Sequence, residues 1–153
     1  MKLLSEATES ALRAVVWLAA HPDQTWTVRQ IAQGTKSKPG YLVRVLQSLA
    51  RAGIVSAQRG VGGGIKLSAS PDKTTILDVV NAVDPLARIT TCPLGLTGHG
   101  TRLCTLHRRV DQAMAHLQAT FAAVTIADLL DDDATASKPL CDTATNLVKM
   151  TRR

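Results

Sequence analysis

Residues 27–67 hold the pattern that most limits the folds open to this chain. The tetrapeptide TVRQ at residues 27–30 matches the Thr-x-x-Gln capping box, which predicts the start of a helix, and Gly34 is a typical helix end. A longer helix is predicted over residues 38–52, with Ser37 as its N-cap and apolar residues at every third or fourth position. A short helix, a tight turn and a longer helix together predict a helix-turn-helix.

The next segment predicts a β-hairpin with a flexible tip. Residues 54–59 and 65–68 have the pattern of strands, and the glycine-rich residues 60–64 form the turn between them. A glycine-rich loop can also cradle a phosphate, but such a loop continues as Gly-Lys-Ser/Thr into a helix, whereas Gly64 is followed by Ile65 and a strand pattern. A basic hairpin placed directly after a helix-turn-helix is a wing.

Two further amphipathic helices, over residues 5–20 and 75–83, complete the N-terminal half. The chain has only four aromatic residues (two Trp, one Tyr and one Phe), so the core must consist of Leu, Val, Ile and Ala, which favours helices. We therefore predict a mainly α fold with a small β-hairpin wing. Residues 1–84 are predicted to form a winged helix-turn-helix DNA-binding domain.

The charge of the chain is concentrated in this half. The formal net charge is +6, and residues 1–70 hold nine Lys or Arg against three acidic residues, while basic and acidic residues balance in the remainder. Such asymmetry suggests an anionic partner, of which double-stranded DNA is the first candidate. A solvated basic surface is the alternative, and charge alone does not separate the two.

Five residues are the candidate DNA contacts. In a helix-turn-helix the second helix lies in the major groove and presents its N-terminal side chains, here Lys38, Tyr41 and Arg44. Arg44 has the donor geometry to read guanine, and Tyr41 can reach a phosphate or stack. Lys36 in the turn suits a phosphate, and Arg59 at the hairpin end suits a narrow minor groove.

The segment CPLGLTGHGTRLCTLH, residues 92–107, predicts a cofactor site in a loop. It holds Cys92, His99, Cys104 and His107, together with three glycines and a proline. Two thiolates and two imidazoles can ligate a 2Fe–2S cluster or a tetrahedral zinc ion. The third possibility is a loop whose thiols bind no cofactor. We assign residues 85–104 to a sensor loop.

A long helix is predicted to follow, over residues 105–130. Its apolar residues repeat every three or four positions, and Val110, Leu117 and Val124 keep the seven-residue spacing of a helix–helix seam. We predict that this helix makes a homodimer, which would bind a palindromic operator; simple core packing is the alternative. Residues 131–153, which include Cys141, are predicted to be a mobile tail.

Other classes of protein fit the sequence less well. No apolar run approaches the roughly 20 residues of a membrane span, and charged residues interrupt the N-terminal segment where a signal peptide would be apolar. We therefore expect a cytoplasmic protein that does not contact membranes. Cys104 and His107 are spaced as a thiolate–imidazole pair, but nothing else resembles an active site, so we predict that the chain is not an enzyme. A regulator that responds only through a protein partner is a further alternative.

Most of the sequence resembles a known family. The segments MKLLSEATESALRAVVWLAA, IAQ, YLVRVLQSLARAGIV, GVGGGIKL, TILDVVNAVD and TIADLL look like the winged-helix transcription regulators of the IscR and NsrR type, over essentially residues 1–130. The resemblance implies a transcription regulator that dimerises through the long helix, and we expect it to act as a repressor. It also implies an iron–sulfur cluster in the loop before that helix.

The resemblance also implies the ligands of such a cluster. Cys92 and Cys104 match the first and third cysteines of the family's loop, and His107 matches a histidine three residues after the third. The middle cysteine falls on Gly98 and is missing, while His99 stands one residue later. Glu9 in the first helix matches an acidic ligand that some members contribute across the dimer. The resemblance therefore favours a cluster but leaves its type and its fourth ligand open.

Overall fold

The computed structural model describes residues 4–95, Gly98 and residues 102–131. His99, and the predicted tail from residue 132 onward with Cys141, lie outside the described residues. Within them the chain forms five α-helices and one antiparallel pair of strands, as the sequence predicted. In chain order the elements are α1 (Glu6–Ala19), α2 (Val28–Gly34), α3 (Pro39–Arg51), β1 (Val55–Gln58), β2 (Gly64–Leu67), α4 (Ile76–Val83) and α5 (Thr105–Ala122).

The helix starts follow from local capping chemistry. The Thr27 hydroxyl accepts a hydrogen bond from the Gln30 N–H, and the Gln30 side chain accepts one from the Thr27 N–H, which completes the predicted capping box of α2. Thr75 and Asp78 form the same arrangement at α4. These reciprocal bonds satisfy N–H groups that a helix start leaves without partners.

The start of α3 differs from the prediction. Lys38, not Ser37, is the N-cap residue, and its side chain makes no capping hydrogen bond. Pro39 follows at the first helical position, where its fixed φ favours a helix and its missing N–H costs nothing. The Ser37 hydroxyl instead accepts a hydrogen bond from the Thr35 hydroxyl at 3.0 Å, and this contact holds the turn between α2 and α3.

One hydrophobic core joins the N-terminal helices, with α1 at its centre. It contains the inward residues of α1, α2, α3 and α4 and the start of β1. The largest apolar side chains with almost no exposure are Trp17, Leu18, Ile31, Leu42, Leu49 and Ile126. The core therefore fixes α3 against α1 and α4, and it leaves the opposite face of α3 exposed.

Trp17 passes so close to Gly34 that a side chain cannot fit there. A Cβ atom added to Gly34 would lie 2.3 Å from Trp17 Nε1. We expect Gly34→Ala to lower the free energy of unfolding by about 1–3 kcal/mol, because the indole is held in the core and must shift. Urea denaturation measures the change. Gly40→Ala is the matched control, since a Cβ there meets nothing within 4 Å and alanine favours helices by up to about 1 kcal/mol. Equal stability of the two variants would contradict this packing argument.

The hairpin is anchored to the start of the helix-turn-helix. β1 and β2 pair in the register Val55↔Leu67 to Gln58↔Gly64. Trp26, just before α2, exchanges two backbone hydrogen bonds of 2.8 Å with Ile65. The Thr25 hydroxyl donates to the Gly62 carbonyl at the tip. The wing is therefore tied to the segment just before α2 through β2 and through its tip.

Two tryptophans and one histidine stack where α1 meets this anchor. The rings of Trp17 and His21 stack with centroids 4.4 Å apart, and Trp26 meets Trp17 edge-on at 4.8 Å. The Trp26 indole N–H donates to the His21 carbonyl at 3.2 Å. This cluster joins the end of α1 to Trp26, which anchors the wing.

The last helix ends earlier than predicted. α5 stops at Ala122, whereas the sequence predicted helix to residue 130. Asp128 accepts hydrogen bonds from the Thr125 N–H and hydroxyl, which gives the chain a turn in place of further helix. Ile126 then enters the core, and its N–H donates to the Thr74 carbonyl at 2.8 Å. Burial of Ile126 against α4 thus overrides the helical periodicity of this segment.

The helix α5 packs on its own chain along one face only. None of its 18 residues is buried, although Phe121 packs against the core. Leu106 and Val110, in the first half of α5, are 66% and 41% exposed. No helix in the described part of the chain has the length and apolar character needed to cross a membrane. The exposed apolar side chains Leu106 and Val110 of α5 are therefore available to a protein partner.

Candidate metal centre and DNA-binding surface

Three of the predicted ligands meet at the start of α5. His107 Nδ1 lies 3.1 Å from Cys104 Sγ and 3.6 Å from Cys92 Sγ. The ligand atoms of Cys92, Cys104 and His107 all lie within 4.8 Å of one another. The group is largely shielded from solvent, since Cys92 is only 9% exposed and the other two residues are half-buried. Two sulfur atoms and one imidazole nitrogen thus face a common point.

The helix fixes two of these ligands and the preceding segment brings the third. Cys104 is the N-cap residue of α5, and His107 lies in the first turn, three residues later. Residues three apart on a helix lie on the same face, so their side chains meet without further constraint. Cys92 lies fifteen residues before His107 in the chain. It stands at the end of the segment 86–92, which has no regular secondary structure. Its position therefore depends on how that segment is held.

The spacing of the donor atoms fits a metal. A sulfur and a nitrogen at usual zinc bond lengths of about 2.3 and 2.05 Å on a tetrahedral ion lie about 3.6 Å apart. The observed distances of 3.1 and 3.6 Å are close to that value. Thiolate and imidazole are also the ligands of mixed Cys/His iron–sulfur clusters. The three side chains can therefore hold a metal with small adjustments and leave at least one further ligand to be supplied.

The two remaining candidate ligands are not part of this group. His99 lies outside the described residues. Glu9 is on α1, where its carboxylate lies 3.8 Å from the Arg13 guanidinium. It lines a groove with residues of the helix-turn-helix, among them Lys38 and Tyr41. Within one subunit Glu9 therefore does not join the three ligands, and its role across a dimer stays a prediction.

The segment 86–92 is fastened to α5 by contacts that the sequence did not predict. Arg88 donates two hydrogen bonds of 2.6 Å to the Asp111 carboxylate. Asp111 also accepts a hydrogen bond from the Ile89 N–H at 3.0 Å, and its side chain is 15% exposed. About two turns further along α5, the Gln118 side chain donates to the Leu86 carbonyl. These residues hold the backbone that carries Cys92.

The bond from Arg88 holds the pKa of Asp111 below its usual range, and the Ile89 N–H acts in the same direction. A depressed carboxyl pKa contributes stability that is present above the unfolded pKa, about 3.9, and is lost as the pH falls through the folded pKa. This fastening is therefore expected to persist at all pH values above the unfolded carboxyl pKa at which Arg88 stays charged.

The predicted DNA contacts lie around the exposed face of α3 and the wing. Lys38 and Arg44 are exposed, and Tyr41 is half-buried and packs against the core. Lys36 is exposed in the turn before α3 and has a left-handed backbone (φ 53°). Arg59 is exposed immediately after β1. The structure thus places these five residues on a helix-turn-helix and wing, while the DNA contacts themselves stay predictions.

Comparison with known proteins shows the family of the chain. The sequence profile of the Rrf2 family, described as an iron-dependent transcriptional regulator, matches residues 4–132. A protein of Aquifex aeolicus (strain VF5), named for an HTH-type transcriptional regulator, is 27% identical over 132 residues, which span 84% of this chain and 92% of that protein. The family match therefore covers both the helix-turn-helix with its wing and the candidate ligands Cys92, Cys104 and His107.

Solved structures share the fold. IscR of T. potens superimposes with a TM-score of 0.71 at 18% identity, and the match covers 95% of each chain. CymR of B. subtilis, described as its global cysteine regulator, superimposes with a TM-score of 0.67 at 21% identity over 84% of this chain and 96% of that one. Since the family profile spans most of the sequence, the chain belongs to the Rrf2 family of DNA-binding transcriptional regulators, and it is a regulator, not an enzyme.

Proposed function

We propose that this protein is a homodimeric repressor whose operator binding is controlled by an iron–sulfur cluster of the 2Fe–2S type. Cys92, Cys104 and His107 would hold the cluster. The observation that carries the proposal is the convergence of their three ligand atoms within 4.8 Å at the start of α5. Membership of a family described as iron-dependent supports iron as the metal. The regulator would act in the cytoplasm, where its DNA lies.

A bound cluster would supply a one-electron redox couple and an iron content that varies with supply. The residues of this chain would turn that state into a change in DNA affinity. Cys92 is linked through the segment 86–92 to Leu86, whose N–H donates to the Asn81 side chain on α4. Buried residues of α4 pack in the same core as α1 and α3. A movement of Cys92 relative to α5 can therefore be transmitted through packed elements to α3, the helix predicted to lie in the major groove.

A second copy of the chain is the proposed partner of α5. The helix buries no residue within its own subunit and exposes Leu106 and Val110. Two copies related by a twofold axis would cover both apolar faces and present two α3 helices to successive half-sites. The operator would then be palindromic.

The fourth ligand has two candidates. His99 is in the same loop, and Glu9 of the partner subunit is the candidate that the family resemblance implies. Separate His99→Ala and Glu9→Ala variants distinguish them, since loss of the true ligand would change the visible spectrum of the purified protein and loss of the other would leave it intact.

A single zinc ion is the second candidate, because the two sulfur–nitrogen distances are close to the value expected around a tetrahedral zinc ion. Metal analysis of protein purified without oxygen decides between the two. Iron together with an equal amount of acid-labile sulfide, and a coloured protein, supports the cluster. Colourless protein with one zinc per chain supports the ion. Colourless protein without metal, even after reconstitution with iron and sulfide, overturns both.

Arg44 tests the DNA-binding surface. We expect Arg44→Ala to weaken specific operator binding by about 1–3 kcal/mol, which is roughly 5–150-fold, because a bidentate contact with guanine is lost. Fluorescence anisotropy with operator and scrambled DNA at fixed salt measures the loss. Lys73→Ala removes the same charge from an exposed position outside the helix-turn-helix and wing and serves as the control. Equal losses on operator and scrambled DNA would mean that Arg44 contacts only phosphate.

A further inference from the structure

The segment 86–92 and α5 run alongside each other with matched lengths. Leu86 is held by Gln118, Ile89 is held by Asp111, and Cys92 reaches His107. The order is therefore antiparallel. Gln118 and Asp111 are seven residues apart, or about 10.5 Å along a helix. Leu86 and Ile89 are three residues apart, and three extended residues span about 10 Å. The backbone bonds to α5 thus require a nearly extended segment, which carries Cys92 to the ligand group.

Of the two α5 residues that bond the backbone of segment 86–92, Asp111 bonds it nearer to Cys92 than Gln118 does. It lies four residues after His107 and so shares a face of α5 with both His107 and Cys104. Its carboxylate receives the Ile89 N–H, three residues before Cys92, and two bonds from Arg88. The Arg88 side chain is 46% exposed, so solvent screens the ion pair, whereas the Ile89 bond is partly buried. The bond to the backbone is accordingly the part that fixes position.

We propose that Asp111 is the positioning residue of the metal centre. By holding the Ile89 backbone against α5, it places Cys92 Sγ within reach of the point defined by Cys104 and His107. This inference rests on the proposed function, since it assigns a role toward the metal that those ligands would bind. Outer-shell contacts that orient ligands usually account for 10–100-fold in metal affinity.

Cobalt(II) titration of the metal-free full chain tests the proposal. All variants carry Cys141→Ser, and sulfur-to-cobalt absorption reports binding in competition with a chelator. We expect Asp111→Ala to weaken cobalt binding by about tenfold or more. Asp111→Asn keeps an oxygen that can accept the Ile89 N–H, so we expect it to restore affinity to within about threefold. Gln112→Ala, a neighbouring exposed position on α5, is the matched control.

Two further variants separate positioning from stability. Arg88→Ala removes the exposed ion pair but leaves the Ile89 bond, and we expect a small loss of cobalt affinity. Ile89→Pro removes the N–H that Asp111 accepts while both charged side chains remain, and we expect it to reproduce the loss in Asp111→Ala. Far-UV circular dichroism checks that each variant is folded. If Asp111→Ala does not fold, Ile89→Pro decides the question.

A measurement without metal distinguishes failure of this inference from failure of the proposed function. In a glutathione buffer, the Cys92 and Cys104 thiols form one disulfide, while one glutathione disulfide is reduced to two thiols. The equilibrium constant reports how often the two sulfurs meet. We expect it to fall at least about fivefold in Asp111→Ala or Ile89→Pro and to stay unchanged in Gln112→Ala. If the parent chain binds neither iron, zinc nor cobalt, the proposed function fails, yet this equilibrium still tests Asp111. An unchanged equilibrium in folded variants would overturn the positioning role.

Discussion

Cys104→Ser is expected to remove the cofactor and leave the fold intact. A serine hydroxyl is a poor substitute for a thiolate ligand, so iron affinity should fall by more than the roughly 10–100-fold that outer-shell changes cause. Serine is a preferred N-cap residue, and Cys104 makes no capping hydrogen bond of its own, so α5 should be as stable as before or more so. Loss of iron could then not be attributed to unfolding of the helix.

The consequence for DNA binding follows from the same substitution. Operator affinity of the Cys104→Ser protein should no longer change when iron is supplied or chelated, whereas that of the parent chain should. The iron and sulfide content per chain and the visible spectrum measure loss of the cofactor. Anisotropy with operator DNA measures loss of the response to iron. Cys141→Ser is the matched control, because Cys141 is not among the proposed ligands. Full iron content in Cys104→Ser, or a continued response of DNA binding to iron, would refute the proposed site.

Val110→Glu is expected to convert the protein to a monomer. Val110 is 41% exposed on α5, and a twofold axis next to it would bring the substituted residue of each subunit into the interface. Each valine lost from an interface forfeits up to about 1.5–3 kcal/mol, and burial of two carboxylates adds several kcal/mol more. The combined cost is comparable to the whole stability of a typical dimer in the micromolar to nanomolar range.

Operator affinity should fall with dimerisation. A monomer contacts one half-site and loses the gain that comes from joining two, so we expect at least a 100-fold loss. Analytical ultracentrifugation and anisotropy measure the two effects. Ala119→Glu places the same charge on the opposite side of α5, at an exposed position, and should remain dimeric. If both variants dimerise like the parent chain, α5 is not the interface.

The sequence was most informative where the controlling interactions are local. The capping box at Thr27 and the start of α4 are determined by residues three apart, and the hairpin by alternation and glycines. Local rules failed at Ser37, which was predicted to be the N-cap of α3. Lys38 takes that position without a side-chain cap, and Pro39 begins the helix. They also failed at the end of α5, where burial of Ile126 in a distant core decides the outcome.

The periodicity of α5 did not distinguish residues that pack on the core from residues that stay exposed. Val110 and Phe121 are eleven residues, or about three turns, apart and so lie on nearly the same side of the helix, yet Val110 is 41% exposed while Phe121 packs against the core. A repeat of three or four residues therefore could not separate core from interface.

The candidate site divides in the same way. Cys104 and His107 are one turn apart, and their meeting could be expected from spacing alone. The approach of Cys92 depends on Asp111 and Arg88, which are 23 residues apart and carry no motif. Ionic pairs between distant exposed residues leave no periodic signal in a sequence, so the residues that fasten the segment 86–92 became visible only in three dimensions.

The aromatic cluster beside the anchor of the wing gives the protein a built-in optical reporter. Trp17 and Trp26 are the only tryptophans of the chain, and both lie in the DNA-binding half beside the anchor of the hairpin. Neither belongs to the ligand group on α5. Tryptophan emission is therefore expected to change if DNA binding moves the wing against α1. It needs no added dye, and absorption bands of a coloured centre can be recorded on the same sample at longer wavelengths.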